Sequence, residues 1–293
     1  MSVYSVPEAS PSRVLGVLRL VLAVGECASR STLEAMMTPP GLNVDGPEES
    51  GGEGELGSGR ALLQRALKEA VRLGLLNEEK KTLRIGAALD RKLLNTDRWW
   101  PLALFELLAD AQNDNADLCR ALAWFLAQDV TTIPGNWNAM QTKNEILTAL
   151  EMNIASFGQL QHWAAYLGFG WRCGRSQRSV FVFDPTAHLK LRLMYEFGKK
   201  RKELSVSELL KRLADWVPVL DGGHYTLELE RKHVLTPPSA TNVSAALSQS
   251  LRRLQEDGWI EMSHSSDAKA VLLWSREEQT RISKVTWKGE PAA

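Results

Sequence analysis

The stretch ALLQRALKEAVRLGLLNEEKKTLRIG, residues 61–86, is the part of the sequence that decides the fold. Its first half places Leu63, Leu67 and Ala70 on one side of a helix, at the spacing with which an amphipathic helix buries one face. Gly74 follows, and glycine adopts most readily the left-handed conformation that is common just after helix ends. We therefore expect an amphipathic helix that ends at Gly74.

The second half of this stretch predicts a β-hairpin. A polar turn is centred on residues 78–81, and the residues after it alternate, with Leu83 and Ile85 on one side and Arg84 on the other. Alternation with a period of two is typical of a strand that buries one face. The helix should therefore run directly into a hairpin.

Two further helices are expected before this stretch. One begins near Ser10, and the other covers residues 31–37 and ends because Pro39 cannot continue its hydrogen bonds. Three helices followed by a hairpin is the order of a winged helix, so we expect a winged-helix domain over residues 10–92. Residues 41–59 are acidic and rich in glycine, which predicts a flexible insertion within this domain.

The C-terminal part of the sequence repeats the same ending. Leu247, Leu251 and Leu254 precede Gly258 by the same numbers of residues as the N-terminal apolar set precedes Gly74. After Gly258 we expect two strands, residues 259–262 and 270–274, to pair as a second hairpin. The expected boundaries are a C-terminal winged-helix domain over 189–276 and a tail over 277–293.

The middle of the chain, residues 93–188, is expected to form a helical domain. In one interpretation it ends in a third winged-helix-like unit, with a helix over 157–167 and a hairpin formed by 169–172 and 179–183. The fold class that follows is mainly α with small β-hairpins (α+β), in which tandem winged-helix domains are joined by a helical middle segment.

Composition excludes some classes of function and leaves others open. Hydrophobic residues make up 44% and charged residues 24%, as in a folded globular protein, and the formal net charge is zero. Any attraction to nucleic acid must therefore come from a local cluster of charge. The apolar run at residues 14–24 is short and contains Arg19, so we expect no membrane span, and we expect a cytoplasmic protein with reduced cysteines.

The faces of the two glycine-terminated helices predict DNA contacts. In a winged helix the third helix enters the major groove, and polar residues opposite its buried face reach phosphates or base edges. An alternative is that these side chains only solubilise the helices or contact proteins. The residues expected to bind DNA are Arg65, Lys68 and Arg72 on the first helix and Asn242, Gln249, Arg252 and Arg253 on the second.

A basic segment in the middle adds a second kind of candidate. Residues 152–202 contain nine basic and two acidic residues, and from this segment we expect Arg172, Arg175 and Arg178 to bind DNA phosphates. Aromatic residues are interleaved with these charges, which suits stacking on bases, although alternate hairpin residues normally face a core and we favour that interpretation. These aromatic residues are Trp163, Trp171, Phe181 and Phe183.

No enzyme active site is expected, and neither a cofactor nor a metal site. The segment 54–61 has the glycine spacing of a phosphate-binding loop but carries Arg60 and Ala61 where that loop needs lysine and a hydroxyl residue. The five histidines are scattered without the spacing of a metal or catalytic motif.

The segment MSVYSVPEASPSRVLGVLRLVL, residues 1–22, taken with ALLQRALKEAVRLGLL, residues 61–76, resembles the DpdG-like accessory proteins of bacterial Dpd clusters. These clusters insert 7-deazaguanine derivatives into DNA and include restriction components. The resemblance implies a role in DNA modification, restriction-modification and antiviral defence, with other proteins of the cluster as partners. No catalytic motif accompanies it, so it implies no active-site residues.

Three functions remain in competition. The first is a non-catalytic DNA-binding or scaffolding subunit of a bacterial DNA modification-restriction system, with DNA and the other proteins of its cluster as partners. The second is a winged-helix transcriptional regulator, and the third is a pure protein-protein scaffold. Salt-dependent DNA binding separates the first two from the third, and protection of one defined operator separates a regulator from a system component.

Overall fold

Helices and short strands alternate along the chain in a mixed α+β fold. A computed structural model of the chain describes residues 9–39, 59–94, 96–110, 116–129, 132–174, 179–236, 239, 241–275 and 280–289. The acidic insertion expected at 41–59 lies almost entirely outside these residues.

The N-terminal unit, residues 11–85, joins three helices to a three-stranded antiparallel sheet. Its elements are α1 (Pro11–Ala23), β1 (Cys27–Ser29), α2 (Arg30–Met37), α3 (Gly59–Arg72), β2 (Leu76–Glu79) and β3 (Thr82–Ile85). The strands lie in the order β1-β3-β2, so the third strand is central. The expected hairpin is present, with Glu79 opposite Thr82, while β1 is a strand that the sequence pattern did not indicate.

Three glycines end helices in the same way. Gly74, Gly168 and Gly258 have φ values of 73°, 84° and 78°, and each stands between a helix and a strand. The residue after each glycine donates its N–H to a carbonyl in the last turn of the helix, as in Leu75 N to Ala70 O at 2.9 Å. The stop predicted at Gly74 and its repeat at Gly258 are therefore confirmed, and Gly168 ends α9 in the same way.

The middle of the chain is largely helical and supplies much of the hydrophobic core. Its elements are α4 (Arg91–Leu94), a short 3-10 helix (Asp97–Trp99), α5 (Trp100–Ala109), α6 (Ala116–Ala127), α7 (Trp137–Met140), α8 (Asn144–Ala149), α9 (Ile154–Leu167), β4 (Gly170–Cys173) and β5 (Val180–Phe183). Strands β4 and β5 form a hairpin directly after α9, where the sequence indicated one. Phe183 of this hairpin stacks on Phe125 of α6 at 4.2 Å between ring centroids.

The C-terminal unit, residues 186–287, has the same order of paired strands as the N-terminal unit. Its elements are α10 (Thr186–Phe197), β6 (Lys202–Ser205), α11 (Val206–Trp216), α12 (His224–Arg231), β7 (Asn242–Val243), α13 (Ala245–Glu256), β8 (Ile260–Ser263), β9 (Val271–Leu273), β10 (Thr280–Ile282) and β11 (Lys284–Trp287). The sheet β6-β11-β8 matches β1-β3-β2 position by position. The expected repeat of buried leucines in α13 is confirmed, since Leu247, Leu251 and Leu254 are at most 1% exposed.

The prediction that residues 259–262 and 270–274 pair with each other is wrong. Strand β8 pairs instead with β11, with Met262 opposite Val285. Strand β9 pairs with β10 and, in parallel, with β7, which makes a separate small sheet. The segment between β8 and β11 is thus an insertion that supplies two strands of this small sheet, and β7 supplies the third.

The expectation of a tail over 277–293 is also wrong for its described part. Residues 284–287 form the central strand of the C-terminal sheet, and Trp287 is only 2% exposed. The expected boundary at residues 188/189 falls inside α10, and the boundary at 92/93 falls inside α4.

Candidate nucleic-acid interface

Helix α3 presents a polar face to the outside of the N-terminal unit. Lys68 on this face is exposed and Arg65 is half-buried, and both line a shallow groove of about 420 Å³ that also borders β2. At the edge of the groove, Arg30 pairs with Glu78 at 3.0 Å and also donates to Gln64. This polar network holds α2, α3 and β2 together beneath the exposed lysine.

Arg72 lies further along α3 and is engaged within the chain. Its Nε donates to the Glu69 carboxylate at 2.7 Å, and Glu69 is only 4% exposed. A buried carboxylate needs such a partner, because removing a charge from water is costly unless it is paired. Arg72 therefore has a structural role, and its expected contact with DNA stays a prediction.

The turn between β2 and β3 exposes two more cations, directly after the strand that borders the groove. Lys80 and Lys81 are the two central residues of the turn, and both are exposed. Their φ values are 48° and 65°, the left-handed region that asparagine and glycine prefer in two-residue hairpins. The sequence predicts the turn at this position, but the residues expected to bind DNA do not include these two lysines. The signal was available in the lysine pair itself, at the tip of a predicted wing.

No ion pair within the described ranges joins Lys68, Lys80 or Lys81 to an acidic residue. These ammonium groups are therefore available to an external anion. Glu78 in the same hairpin is already paired with Arg30, which reduces its repulsion of an approaching phosphate.

The residues predicted on the second helix are distributed differently. Gln249 is exposed on α13, whereas Asn242 lies in β7, before the helix begins at Ala245, so its expected place on the helix face is wrong. Arg252 donates from Nη1 to the Trp274 carbonyl at 2.6 Å, and Arg253 pairs with Asp184. Both arginines are thus committed to contacts within the chain, and their binding to DNA stays a prediction.

Asp184 is the hub that fixes α13 against the β4-β5 hairpin. Its carboxylate accepts hydrogen bonds from Arg253, from the Trp171 indole N–H at 3.4 Å and from the Thr186 backbone N–H at 3.0 Å. The last of these contacts satisfies a donor at the first turn of α10, which the helix itself leaves unpaired.

Replacing Asp184 with alanine is expected to lower the free energy of unfolding by about 2 kcal/mol, since hydrogen bonds to charged groups contribute about 1.5–3 kcal/mol and the half-exposed Arg253 is partly screened. Asp184→Asn keeps an acceptor for the two N–H groups and should cost less. Urea unfolding measures both. Equal stability of wild type and Asp184→Ala would show that the contacts of Asp184 do not stabilise the packing of α13 against the β4-β5 hairpin.

The structure describes one of the three arginines expected to bind DNA phosphates from the basic segment. Arg172 is exposed in β4 and donates to Gln161 at 2.8 Å and to Ser179 at 3.2 Å. Arg175 and Arg178 lie outside the described residues, so the expected contacts of all three with DNA stay predictions.

The aromatic residues of this segment divide into two groups. Trp163, Phe181 and Phe183 are buried, which agrees with the interpretation that the aromatic residues belong to the core. Trp171 departs from it, because 43% of this residue is exposed on the outer face of the hairpin. Further basic residues of the segment are also engaged, as in Arg192, which pairs with Glu106 at 2.6 Å.

Two titratable groups of the kind that serve in catalysis, His188 and Cys119, are buried in the core. His188 stacks on Phe169 with 4.2 Å between centroids, and its Nδ1 lies 2.7 Å from the Leu167 carbonyl. Burial lowers the pKa of His188 to about 3 and raises the pKa of the Cys119 thiol to about 12. Among the described residues, no group of three His, Cys, Asp or Glu side chains is arranged to hold a metal ion.

A separate cavity of about 260 Å³ lies where α12, β7 and the start of α13 meet. Asp221 lines it, and its carboxylate accepts the Ser244 backbone N–H at 2.7 Å. Burial raises the pKa of Asp221. This carboxylate therefore serves the local structure by anchoring the residue that caps α13.

Together, these features define a mixed α+β protein with two sheets of one topology and an exposed basic face on α3. The chain belongs to the DpdG-like family, whose model matches residues 1–268. Membership in this family associates the chain with Dpd systems. Neither the comparison with curated proteins nor that with solved structures gave a match. In the part of the chain that is described, the helices are too short or too polar to cross a membrane.

Proposed function

We propose that this chain is a non-catalytic, cytoplasmic DNA-binding subunit of a bacterial Dpd modification-restriction system, and that it contacts duplex DNA through α3 and the β2-β3 turn. The observation that carries the proposal is the exposure of Lys68 on α3 and of the two lysines at the tip of the hairpin whose strand β2 borders the same groove as Lys68. Other proteins of the system are its expected partners.

The order of elements supports a winged-helix interpretation of the N-terminal unit. Helix, strand, two helices and a hairpin, with the third strand central, is the arrangement in which α3 would be the recognition helix and the β2-β3 turn the wing. Such a helix docks in the major groove, and positive side chains flanking it neutralise phosphates. The C-terminal unit has the same strand order, which supports a tandem arrangement.

The charges support contact with the phosphate backbone more strongly than base readout. The chain is neutral as a whole, so binding must depend on local cations. Three exposed lysines, at positions 68, 80 and 81, act as point charges without the bidentate geometry with which arginine reads guanine. We therefore expect binding that depends strongly on salt and weakly on sequence.

The variant Lys68→Ala/Lys80→Ala/Lys81→Ala tests this surface. Each phosphate contact contributes about 0.9 to the slope of log affinity against log salt, so the triple variant should flatten the slope by up to about 2.7. Fluorescence anisotropy with a fully paired duplex at several salt concentrations measures the slope.

A matched control is Lys92→Ala/Lys143→Ala/Lys269→Ala, which removes the same charge from three exposed positions elsewhere. It should leave the slope close to that of wild type. An equal change of slope in the two variants would mean that only the net charge of the chain matters. An unchanged slope in both would contradict DNA binding through these lysines and would favour the protein-protein scaffold.

A scaffolding role is the second candidate for the C-terminal unit. Helix α13 packs on α10 and α6, and its two arginines contact Asp184 and the Trp274 carbonyl. A helix held in this way has little free surface for a DNA groove. If the N-terminal unit binds DNA, the C-terminal unit is then suited to hold partner proteins. A regulator would instead protect one defined operator in a footprint.

A further inference from the structure

Trp171 lies in a cavity between the β4-β5 hairpin and helix α13. The cavity has a volume of about 210 Å³ and is lined on the hairpin side by Trp171 and Val182 and on the helix side by Ala246, Gln249 and Arg253. Gln249 follows Ala246 by three positions and Arg253 follows Gln249 by four, so the three residues occupy one face of α13 on successive turns. A large indole thus forms one wall of an open cleft.

The indole is held in place although much of it is exposed. Its N–H donates to Asp184 at 3.4 Å, and Trp171 lies directly opposite Val182 in the hairpin. A ligand that covers the exposed part of this ring gains free energy, since large apolar side chains gain most from burial. A fixed ring also loses little conformational entropy when a flat ligand stacks on it.

The rim of the cavity carries both hydrogen-bond donors and hydrogen-bond acceptors. Gln249 offers an amide that donates and accepts, Asp184 offers a carboxylate, and Arg253 offers a guanidinium whose side chain is 42% exposed. Asp184 and Arg253 already pair with each other, so a hydrocarbon side chain from a protein would leave the Gln249 amide without a partner. A heteroaromatic ring with donors and acceptors on its edges would engage that amide, and the further N–H donors of the Arg253 guanidinium suit an attached phosphate.

Size narrows the class of ligand further. The cavity is smaller than the roughly 300 Å³ at which pockets for drug-sized ligands begin, so it suits one ring system. We infer that this cleft binds a single unpaired nucleobase of a DNA strand, stacked on Trp171 with its edge at Gln249. The inference extends the proposed DNA-binding function, but it involves a surface distinct from α3 and the β2-β3 turn.

The test uses a short single-stranded DNA that carries one 2-aminopurine, a fluorescent base that is quenched when it stacks. The wild-type chain should quench it on titration. Loss of stacking costs about 1–3 kcal/mol per base, so Trp171→Ala should bind between about 5-fold and about 150-fold more weakly and abolish the quenching. Trp171→Phe retains a flat ring and should stay within a few-fold of wild type.

Two further variants keep the test decisive. Val180→Ala removes an exposed apolar residue on the same strand pair outside the cavity and should leave quenching unchanged. Gln249→Ala removes an exposed side chain that the fold does not need, and it should weaken binding about 2-fold to 10-fold. Circular dichroism verifies that each variant is folded.

The outcomes separate this inference from the proposed duplex surface. Quenching that persists in Lys68→Ala/Lys80→Ala/Lys81→Ala supports an independent base site. Absence of quenching by wild type, or equal quenching by Trp171→Ala, overturns the base site even if duplex binding depends on the lysines. Equal oligonucleotide binding by both, combined with loss of binding to a Dpd partner protein in Trp171→Ala, would also overturn it and make the cleft a protein contact.

Discussion

Replacing Trp287 with alanine is expected to lower the free energy of unfolding of the C-terminal unit by about 3–5 kcal/mol, the usual cost of deleting a large aromatic side chain from a core. Trp287 is 2% exposed in the central strand β11, and its ring stacks on Trp259 with 5.6 Å between centroids. Its indole N–H also donates to the Gly198 carbonyl at 2.9 Å. Urea unfolding followed by circular dichroism measures the loss.

The matched control is Lys284→Ala on the same strand. Lys284 is half-exposed and pairs with Glu203 at 3.0 Å, a surface ion pair of the kind that contributes about 0–1 kcal/mol. A loss below about 1 kcal/mol in Trp287→Ala would contradict the placement of β11 at the centre of the sheet, since no core substitution of this size is so mild.

Acid is expected to destabilise the protein through His188. Because the pKa of this buried ring is lowered to about 3, the unfolded chain takes up a proton near its ordinary pKa of 6.5 while the folded chain does not. Stability therefore falls as pH falls from 6.5 towards 3. From His188 alone we expect the free energy of unfolding to fall by about 2 kcal/mol between about pH 7 and about pH 5. By about pH 3 the fall should reach about 4 kcal/mol.

The comparison of His188→Phe with His264→Gln tests this assignment. Phenylalanine keeps the aromatic stack on Phe169 but has no proton to gain, so this part of the pH dependence should disappear even if overall stability falls. His264 is exposed, and its replacement should leave the pH dependence as in wild type. A His188→Phe variant with an unchanged pH profile of urea unfolding would show that another group carries the acid sensitivity.

The N-terminal unit could be predicted from sequence because its decisive contacts are local. Helix α3, its glycine stop and the β2-β3 hairpin follow one another within residues 59–85, so periodicity and turn chemistry define them directly. Strand β1 escaped prediction because three residues are too few to show alternation. Its pairing with β3 depends on a partner more than fifty residues away.

The C-terminal unit could be predicted only in part because its strand pairs are not consecutive. Both β8 and β9 lie where the sequence placed strands, but an insertion separates β8 from its true partner β11. Adjacent strands usually pair as a hairpin, and no local pattern signals that the next strand belongs to another sheet. The sequence therefore predicts a tail over 277–293, whereas residues 284–287 form the central strand of the sheet.

The candidate site shows the same division between local and distant information. That Lys68 lies opposite the buried leucines follows from helical periodicity, and its exposure agrees. That Arg253 pairs with Asp184 does not follow from sequence, because 69 positions separate them and their contact depends on how α13 meets the hairpin. Sequence reasoning therefore finds cations on helix faces but not which of them already have partners.

Hydrogen-deuterium exchange of the chain with and without a fully paired duplex measures which helix DNA covers. We expect slower exchange in residues 59–72 and 76–85 on binding, because α3 and the hairpin turn become covered, and unchanged exchange in residues 245–256. Protection confined to residues 245–256, or absent from both helices at saturating duplex, would contradict the claim that α3 and its neighbouring turn form the DNA-binding surface.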